Sequence, residues 1–455
     1  MRILLIQAVS THDCGELVYP LGLARLSAAI GSLHEVLGLD LNLNPFPWPE
    51  LVQTLHGFRP QLVAVSFRNL DPLAGNLLSF VPHLKTLATL LQEHAPESTV
   101  ILGGSGFTLF ARRLMEELPE VDLGFAGEAD AVFPQLIEHL EAPWTVPGIL
   151  WRRDDGFVME NRAATCCQEL DALPFPDWRA FDPDRYQKLN HYVAFMGVET
   201  KRGCPNNCQY CLYPTLQGSR LRLRSPERVV DELEVLHDTH DIQLVHFTDP
   251  VVNQPAEHLR SICGEILKRR LEIGWTGFFR EDTLTAEDME LYRKSGLVTW
   301  YFSADGASDY TLQLLGKGLN RDHILHAAGL AAASGVLAVY HFLVNLPGET
   351  QRSIDETREL LATLFEIHAS RGNLGAVVIN NLRLYPNTPL TEYILRERLI
   401  DSRQDLLYPT YYNPPPWDHL RHELTAYCMK QSTVSYLATQ SSSKREKETN
   451  AHRPA

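Results

Sequence analysis

Short apolar runs alternate with longer amphipathic segments over the first 140 residues of the chain. The short runs, rich in leucine and β-branched residues, predict buried strands, and the longer segments repeat their apolar residues at helical spacing. The predicted strands cover residues 3–7, 36–39, 62–67, 100–102 and 123–125, and the predicted helices cover residues 21–31, 51–56, 77–94, 107–118 and 132–139. This alternation is typical of a parallel sheet wrapped by helices, whose ligands lie beyond the carboxyl ends of the strands.

The alternation resumes after a proline-rich connecting region that contains two predicted short strands, at residues 148–152 and 157–160. The later predicted strands cover residues 193–200, 244–248, 274–279, 298–303, 337–344 and 376–384, and the helices between them cover residues 226–237, 257–270, 286–295, 323–333 and 353–369. Six such units fit a partial (β/α)6 barrel of the TIM type, with active residues just past the strand ends.

The pattern therefore predicts an α/β protein of five parts. These are a doubly wound, Rossmann or flavodoxin-like domain (1–140), a linker (141–190), the partial barrel (191–400), a C-terminal extension (401–439) that starts its helix near His419, and a disordered polar tail (440–455).

Charge and apolar content narrow the class of protein. The 455 residues include 41 Lys+Arg against 56 Asp+Glu, a net charge of −15, which argues against a protein that mainly grips nucleic-acid phosphates. The chain shows no leader pattern at its N-terminus and no apolar run long enough to span a bilayer. We therefore expect a cytoplasmic protein that has no membrane partner.

Three of the eight cysteines stand together, directly after the first predicted barrel strand. Cys204, Cys208 and Cys211 have the spacing C-x3-C-x2-C. A structural zinc site needs four ligands, usually as two pairs, and no second pair follows nearby. Three thiolates on one short loop can instead hold three irons of a [4Fe–4S] cluster and leave the fourth iron open for a ligand.

This cysteine loop, with an aromatic residue, Tyr210, before its last cysteine, resembles that of the radical S-adenosylmethionine (SAM) enzymes. In that family the open iron binds SAM, and reductive cleavage gives a 5′-deoxyadenosyl radical. Four further segments, each at a predicted strand end, resemble family motifs: residues 247–253, 302–306, 346–350 and 384–388. The resemblance implies SAM contacts at six positions: Tyr210, Asp249, Arg280, Ser303, Asp305 and Asn345.

Simpler roles remain open for several of these residues. Asp249, which precedes a proline, is also suited to start a turn. Glu349 is suited to the first turn of the following helix. Arg280 and Arg224 are candidates for pairing with the SAM carboxylate, although surface arginines are common. Asp305 stands where many relatives carry glutamate.

The first domain resembles the cobalamin-binding subgroup of the same family, through residues 19–26, 102–107 and 127–130. The resemblance implies cobalamin contacts at seven positions: Ser66, Arg68, Asn69, Gly103, Gly104, Gly106 and Glu128. Glycines there would let a flat ligand approach the backbone. Tight packing of strand against helix, with no ligand, is the alternative.

The loop after the third strand carries Arg68 rather than the histidine motif that supplies a cobalt ligand in other cobalamin proteins. It resembles the loop of cobalamin-dependent tryptophan 2-C-methyltransferases, in which an arginine faces the lower side of the corrin. A guanidinium stays protonated and cannot ligate cobalt. Two alternatives are a structural clamp between Arg68 and Asp71, and ligation by His12.

The resemblance implies a cobalamin-dependent radical SAM methyltransferase. It would pass a methyl group from SAM through methylcobalamin to an unreactive carbon of a small molecule or natural-product intermediate, by radical or polar transfer. Other radical chemistry, such as rearrangement or cyclisation, is an alternative. A tRNA-modifying relative would carry three more cluster cysteines in the first domain, which has only Cys14. A non-catalytic cofactor-binding protein is a third reading, in which Cys166-Cys167 of the linker could ligate metal, but an intact cluster loop argues against it.

Five basic residues around the cysteine loop suggest a further partner. They are Lys201, Arg202, Arg220, Arg222 and Arg224. Such a patch would suit the SAM carboxylate and an acidic electron donor such as flavodoxin or ferredoxin.

Overall fold

The first part of the chain folds around a seven-stranded sheet, and the computed structural model describes residues 1–11, 17–72, 77–187, 194–401 and 403–431. The strands, in the spatial order β2-β1-β3-β4-β5-β6-β7, are β1 (Arg2–Gln7), β2 (Glu35–Asp40), β3 (Leu62–Ser66), β4 (Thr99–Gly103), β5 (Leu123–Phe125), β6 (Ile149–Arg152) and β7 (Val158–Glu160). The helices are α1 (Leu21–Ile30), α2 (Pro47–Phe58), α3 (Val81–His94), α4 (Ser105–Leu109), α5 (Ala111–Glu117) and α6 (Phe133–Glu138).

The five predicted strands of this domain are confirmed to within one residue at each end, and they pair in parallel. The two strands predicted in the linker also form, but they extend this sheet, because β6 pairs antiparallel with β5. The helix predicted over residues 107–118 is two helices that meet at Phe110. Helix α2 begins earlier than predicted, at Pro47, because proline is tolerated in a first helical turn.

The second part of the chain forms the predicted partial barrel. Its elements are α7 (Asp184–Gln187), β8 (Met196–Val198), β9 (Lys201–Arg202), α8 (Tyr213–Gln217), β10 (Arg222–Leu223), α9 (Pro226–His240), β11 (Leu244–Phe247), α10 (Ala256–Arg269), β12 (Gly274–Phe279), α11 (Ala286–Lys294), β13 (Leu297–Asp305), α12 (Asp309–Leu315), α13 (Arg321–Ser334), β14 (Leu337–Leu343), α14 (Gln351–Ala369), β15 (Leu374–Asn380), β16 (Leu382–Arg383), α15 (Pro389–Arg396), β17 (Tyr411–Tyr412) and α16 (Leu420–Met429).

Six of these strands make one open parallel sheet in the order β8-β11-β12-β13-β14-β15. The strand predicted over residues 376–384 is in fact two, because β16 leaves the sheet and pairs antiparallel with β17. The first barrel strand is shorter than predicted, and the start of its predicted range lies outside the described residues. So do the end of the predicted C-terminal helix and the whole predicted tail.

The two domains are joined by buried polar contacts across a shared apolar core. The Tyr186 hydroxyl donates to Asp40 at 2.7 Å, and the amide of Tyr19 donates to the carbonyl of Phe195 at 3.0 Å. The Arg383 guanidinium lies 2.8 Å from the Asp71 carboxylate, and both side chains are almost completely buried. This last pair ties the loop after β3 to strand β16 of the barrel domain. In the described ranges, no helix has the length and apolar content to cross a bilayer.

We expect Asp71→Ala to destabilise the protein strongly, because it leaves the buried Arg383 charge without its carboxylate. The expected loss is about 3 kcal/mol of unfolding free energy, measured by urea titration with tryptophan fluorescence. The matched control is Asp401→Ala, which removes an ion pair 2.6 Å long to the exposed Arg403 and should leave the midpoint unchanged. Equal midpoints for the two variants would contradict a buried clamp.

Candidate functional site

The cysteine loop is closed at its base by the β9–β10 hairpin, which pairs Lys201 and Arg202 with Leu223 and Arg222. Gly203 starts the loop with φ at +87°, and a Cβ there would lie 2.2 Å from the carbonyl oxygen of Arg220. Only glycine fits this left-handed, crowded position. The base of the loop is therefore fixed before the first cysteine.

Three further contacts brace the loop from the barrel. The amide of Gln209 donates to the Leu315 carbonyl at the end of α12 (2.9 Å), and the amide of Leu390 in α15 donates to the Gln209 carbonyl (2.8 Å). The Asn206 side chain donates to Gln254 at 2.7 Å. Neither α12 nor α15 was predicted from the sequence. The loop is thus held on several sides by elements that follow the barrel strands.

The three thiols lie close enough to act on one another electrostatically. Burial, with a smaller contribution from the neighbouring Cys208 and Cys204, raises the pKa of Cys211 to about 12. Among the described residues, no three His, Cys, Asp or Glu side chains are placed to hold a single metal ion. A four-iron cube is wider than one ion and spreads its thiolate ligands farther apart. Its positive irons would offset the burial that disfavours the thiolates, so the donor set fits such a cluster.

Four of the six predicted SAM residues meet beside this loop. The Tyr210 hydroxyl donates to the Asp305 carboxylate, and Asp305 has φ at +60°. The Lys317 ammonium lies 2.8 Å from Asp305 and donates to the Ser303 carbonyl. The guanidinium of Arg280 pairs with Asp282 at 2.8 Å and also reaches the Lys317 carbonyl.

Lys317 is the centre of this group and was missed in the sequence. Burial raises the pKa of Cys208, and the charges of Lys317 and Arg280 oppose that rise, so both cations lie near the loop. The sequence feature that could have pointed to Lys317 is its position between two glycines, Gly316 and Gly318, whose φ angles are +67° and +68°. A lysine in such a turn is free to fold back over the preceding strand.

The other two predicted SAM residues have partners within the protein. The fully buried Asp249 carboxylate accepts from the amides of Thr200 (2.9 Å) and Lys201 (3.2 Å), and from the Lys201 ammonium at 2.8 Å. It therefore anchors the chain just before the cysteine loop. Asn345 has φ at +57° and donates to Asn413 and to the Pro414 carbonyl. Their contact with SAM stays a prediction.

A cleft of 310 Å³ lies at the carboxyl edge of the first sheet, between that domain and the β9–β10 hairpin. Four of the predicted cobalamin residues line it: Ser66, Gly103, Gly104 and Glu128. Apolar side chains of α1, β5 and α6 supply much of the remaining wall, so one apolar arm of a larger ligand fits here.

The glycines of this edge also have a packing role. Gly104 has φ at +100°, and a Cβ on it would lie 2.7 Å from the Phe67 carbonyl oxygen. A Cβ on Gly106 would lie 2.9 Å from the same atom. Close packing of α4 on the loop after β3 therefore explains both glycines, while the backbone of Gly104 still forms the cleft wall.

Arg68 and Asn69 lie on the loop between this cleft and the barrel. The Arg68 carbonyl accepts from Ser105 at 3.0 Å, and its side chain is exposed, while Asn69 is half-buried. Burial lowers the pKa of His246 inside the barrel to about 4, and the charge of Arg68 adds to this effect. The loop that carries Arg68 lies beside the barrel domain, to which Asp71 ties it. The carboxylate of Asp71 pairs with Arg383, as described above, and His12 lies outside the described residues.

An ionic network that the sequence did not reveal joins the cleft to the cysteine loop. The Arg202 guanidinium contacts Glu199 (2.6 Å), Asp130 (2.8 Å) and Glu128 (3.0 Å), and Arg222 donates to Glu128 at 2.8 Å. Burial raises the pKa of Glu128, but the two guanidiniums outweigh it and hold the pKa below its usual value. Glu128, predicted as a cobalamin contact, is therefore also an interdomain ion-pair partner.

The five basic residues around the cysteine loop do not form an exposed patch. Lys201, Arg202, Arg222 and Arg224 are buried and pair with acids of this chain, Arg224 with Glu232 at 2.7 Å. Of the five basic residues, only Arg220 is exposed. The sequence shows clustered charge but not its burial. Four of the five basic residues therefore offer no exposed charge to an acidic electron donor, because buried carboxylates pair with them. Arg224 pairs with Glu232, and its contact with the SAM carboxylate stays a prediction.

Comparison with known proteins identifies both domains. The family model described as the radical SAM superfamily matches residues 198–361, and the B12 binding domain model matches residues 9–137. An uncharacterized methyltransferase of Pyrococcus horikoshii is 25% identical over 92% of this chain and 87% of its own length. The cytidylyl-2-hydroxyethylphosphonate methyltransferase of Streptomyces wedmorensis is 26% identical over the same shares.

Solved structures show the same arrangement of domains. The radical SAM methyltransferase TsrM of Kitasatospora setae, solved with tryptophan and a SAM analogue, superposes with a TM-score of 0.74 at 21% identity, over 87% of this chain and 76% of that chain. The cleft is formed mainly by the domain that the B12 binding model matches, and the cysteine loop lies in the domain that the radical SAM model matches. The chain belongs to the radical SAM enzymes that carry a cobalamin-binding domain before the barrel, with a [4Fe–4S] cluster, SAM and cobalamin as cofactors.

Proposed function

We propose that this enzyme transfers a methyl group from SAM, by way of cobalamin, to an unreactive carbon of a small molecule. The observation that carries the proposal is the placement of Arg68. Its carbonyl accepts from Ser105 at the cobalamin-side cleft, and Asp71, three residues later on the same loop, pairs with Arg383 of the barrel domain. The methyltransferase names of the two relatives support the same reaction.

The chain's own residues have distinct tasks in this proposal. Cys204, Cys208 and Cys211 would hold the cluster, and Tyr210, Asp305, Ser303 and Arg280 would line the SAM site beside it. When bound, the cluster supplies an electron for SAM cleavage, and cobalamin supplies a cobalt that accepts and releases a methyl group. Lys317 holds the Asp305 carboxylate and the Ser303 carbonyl in place.

Arg68 would keep the lower face of the corrin free of a protein ligand. A guanidinium cannot coordinate metal, and the Arg68 side chain is exposed. A reduced protein donor, such as a flavodoxin or ferredoxin, completes the proposal for a cytoplasmic enzyme. It would dock elsewhere than on the buried cations at the loop.

We expect cysteine substitution to separate cluster ligands from other thiols. Anaerobically reconstituted protein should bind about four irons per chain, and Cys204→Ala, Cys208→Ala or Cys211→Ala should lose most of them. The control is Cys166→Ala, a half-buried cysteine of the linker, which should keep full iron content. Iron that is unchanged in all three loop variants would refute the cluster assignment.

We expect Arg68→His to change the cobalt spectrum of protein purified with cobalamin. Imidazole can ligate cobalt whereas guanidinium cannot, so the absorption should shift from that of a cobalamin with no lower protein ligand toward a ligated one. Arg68→Lys is the control, because it keeps a cation and adds no ligand. If the spectra of all three proteins agree, Arg68 does not face the metal.

Transfer itself is tested with SAM that carries a deuterated methyl group. We expect reduced, cobalamin-loaded protein to release S-adenosylhomocysteine, and protein without cobalamin to release none. Simultaneous measurement of 5′-deoxyadenosine then decides between radical and polar transfer. Release of 5′-deoxyadenosine with no S-adenosylhomocysteine would instead indicate a rearrangement or cyclisation enzyme.

A further inference from the structure

The concave face of the barrel sheet carries its own set of side chains. Alternation along the strands points Trp275, Trp300 and Tyr340 toward the helices, where they join the main core. Side chains on the opposite, inner face of the same sheet form a separate apolar cluster: Phe278, Tyr301, Val339, Ala376 and Val378. The lumen side of the barrel sheet is therefore lined by flat and aliphatic groups.

His246 on β11 is set among these aromatic rings. Its ring centroid lies 5.4 Å from that of Phe278, at an interplanar angle of 82°, and 6.2 Å from that of Tyr301. The side chain is 7% exposed. These contacts place an imidazole on the wall of the lumen.

Hydrogen bonds determine which ring nitrogen of His246 carries the proton. Nδ1 lies 2.8 Å from the Thr276 hydroxyl oxygen, which itself lies 3.5 Å from the Val245 carbonyl. A carbonyl only accepts, so both contacts are satisfied together only when the hydroxyl donates to the carbonyl and accepts from Nδ1–H. Nε2 therefore carries the lone pair. Burial, assisted by the charge of Arg68 and opposed by Asp249, keeps this ring neutral near pH 7.

A second imidazole on the same face is fixed in the same tautomer. His341 on β14 places Nδ1 2.9 Å from the Phe302 carbonyl, and its centroid lies 5.6 Å from that of Phe278. Phe278 is thus flanked by two histidines. A lumen of this kind fits a flat apolar body with a hydrogen-bond donor at its edge.

We propose that His246 is a substrate-positioning residue: its Nε2 accepts a hydrogen bond from an N–H or O–H group of a substrate whose flat, unsaturated body packs on Phe278 and Tyr301. The proposal deepens the proposed function, on which it rests, by naming the substrate class that enters the barrel. In the simpler alternative, His246 is a core residue whose only polar task is its bond to Thr276.

Two probes that differ only in the donor test the proposed acceptor. Phenol and anisole share the ring, but anisole has no O–H. We expect the full-length protein, loaded with cluster, cobalamin and SAM, to bind phenol about tenfold more tightly than anisole in ligand-observed NMR titrations. Failure to bind phenol, or equal affinity for both probes, would overturn the proposal.

Three substitutions at residue 246 separate positioning from core packing. Glutamine places an amide oxygen near the position of Nε2, and asparagine places an amide near that of Nδ1. We expect His246→Gln to keep the preference for phenol, and His246→Asn and His246→Phe to lose it. Rescue by asparagine and not by glutamine would show that only the Thr276 bond matters, and an unchanged preference in His246→Phe would also overturn the proposal.

The control variant is His368→Gln. Both nitrogens of His368 have partners outside the lumen, Tyr340 at 2.7 Å and Asn373 at 2.8 Å, so the preference for phenol should stay unchanged. Failure of the proposed function is distinguishable, because the probes are scored by binding alone. A protein that prefers phenol through His246 but releases no S-adenosylhomocysteine would retain this site and lose the methyltransferase assignment.

Discussion

The position of Arg202 is the constraint on which the rest of the site depends. Its buried guanidinium contacts acids of both domains, Glu128 and Asp130 on one side and Glu199 on the other, and Glu199 also pairs with Arg25 at 2.7 Å. Arg202 is two residues before the first cysteine. A shift of one domain on the other would leave buried charges unpaired, which is strongly unfavourable. The network therefore fixes the distance between the cobalamin-side cleft and the cysteine loop.

The same network explains why a basic segment can stand beside the cysteines of an acidic protein. Each buried cation there has a carboxylate: Lys201 has Asp249, Arg222 has Glu128 and Arg224 has Glu232. Such pairs gain little net stability after desolvation, so their main effect is to define one geometry. The positive charge that acts on the thiols comes instead from Lys317 and Arg280, which lie at the predicted SAM residues.

Local pattern predicted the fold better than it predicted the site. Strands such as β12 were predicted exactly, because a short apolar run between turn residues has few alternatives. The short helices α12 and α15 were missed, since each has too few turns for a clear period. The Cys-x3-Cys-x2-Cys loop was visible because its ligands are adjacent in sequence. The partners of Arg202 were not visible, because Glu128 and Asp130 lie more than 70 positions away.

Asp249 shows why a family motif does not by itself assign a role. The residue is where the resemblance places it, just after β11, yet its carboxylate is enclosed by Thr200 and Lys201. A buried carboxylate with this many donors is fully solvated by the protein and gains little from another ligand. Its effect on SAM would then be indirect, through the position of the chain that enters the cysteine loop.

Strand alternation connects this anchoring to the chemistry inside the barrel. Phe247 packs into the core that holds the sheet against the helices, so His246, its neighbour, must face the lumen. Asp249, at the end of the same strand, holds Thr200 and Lys201, which lead into the cysteine loop. Strand β11 thus fixes the position of the cysteine loop relative to the His246 imidazole. The Arg383–Asp71 pair fixes the loop of Arg68 opposite both of them. The cysteine loop, His246 and the loop of Arg68 come from distant parts of the chain. They meet at one mouth because buried contacts with Asp249, Thr276 and Arg383, respectively, hold them in place.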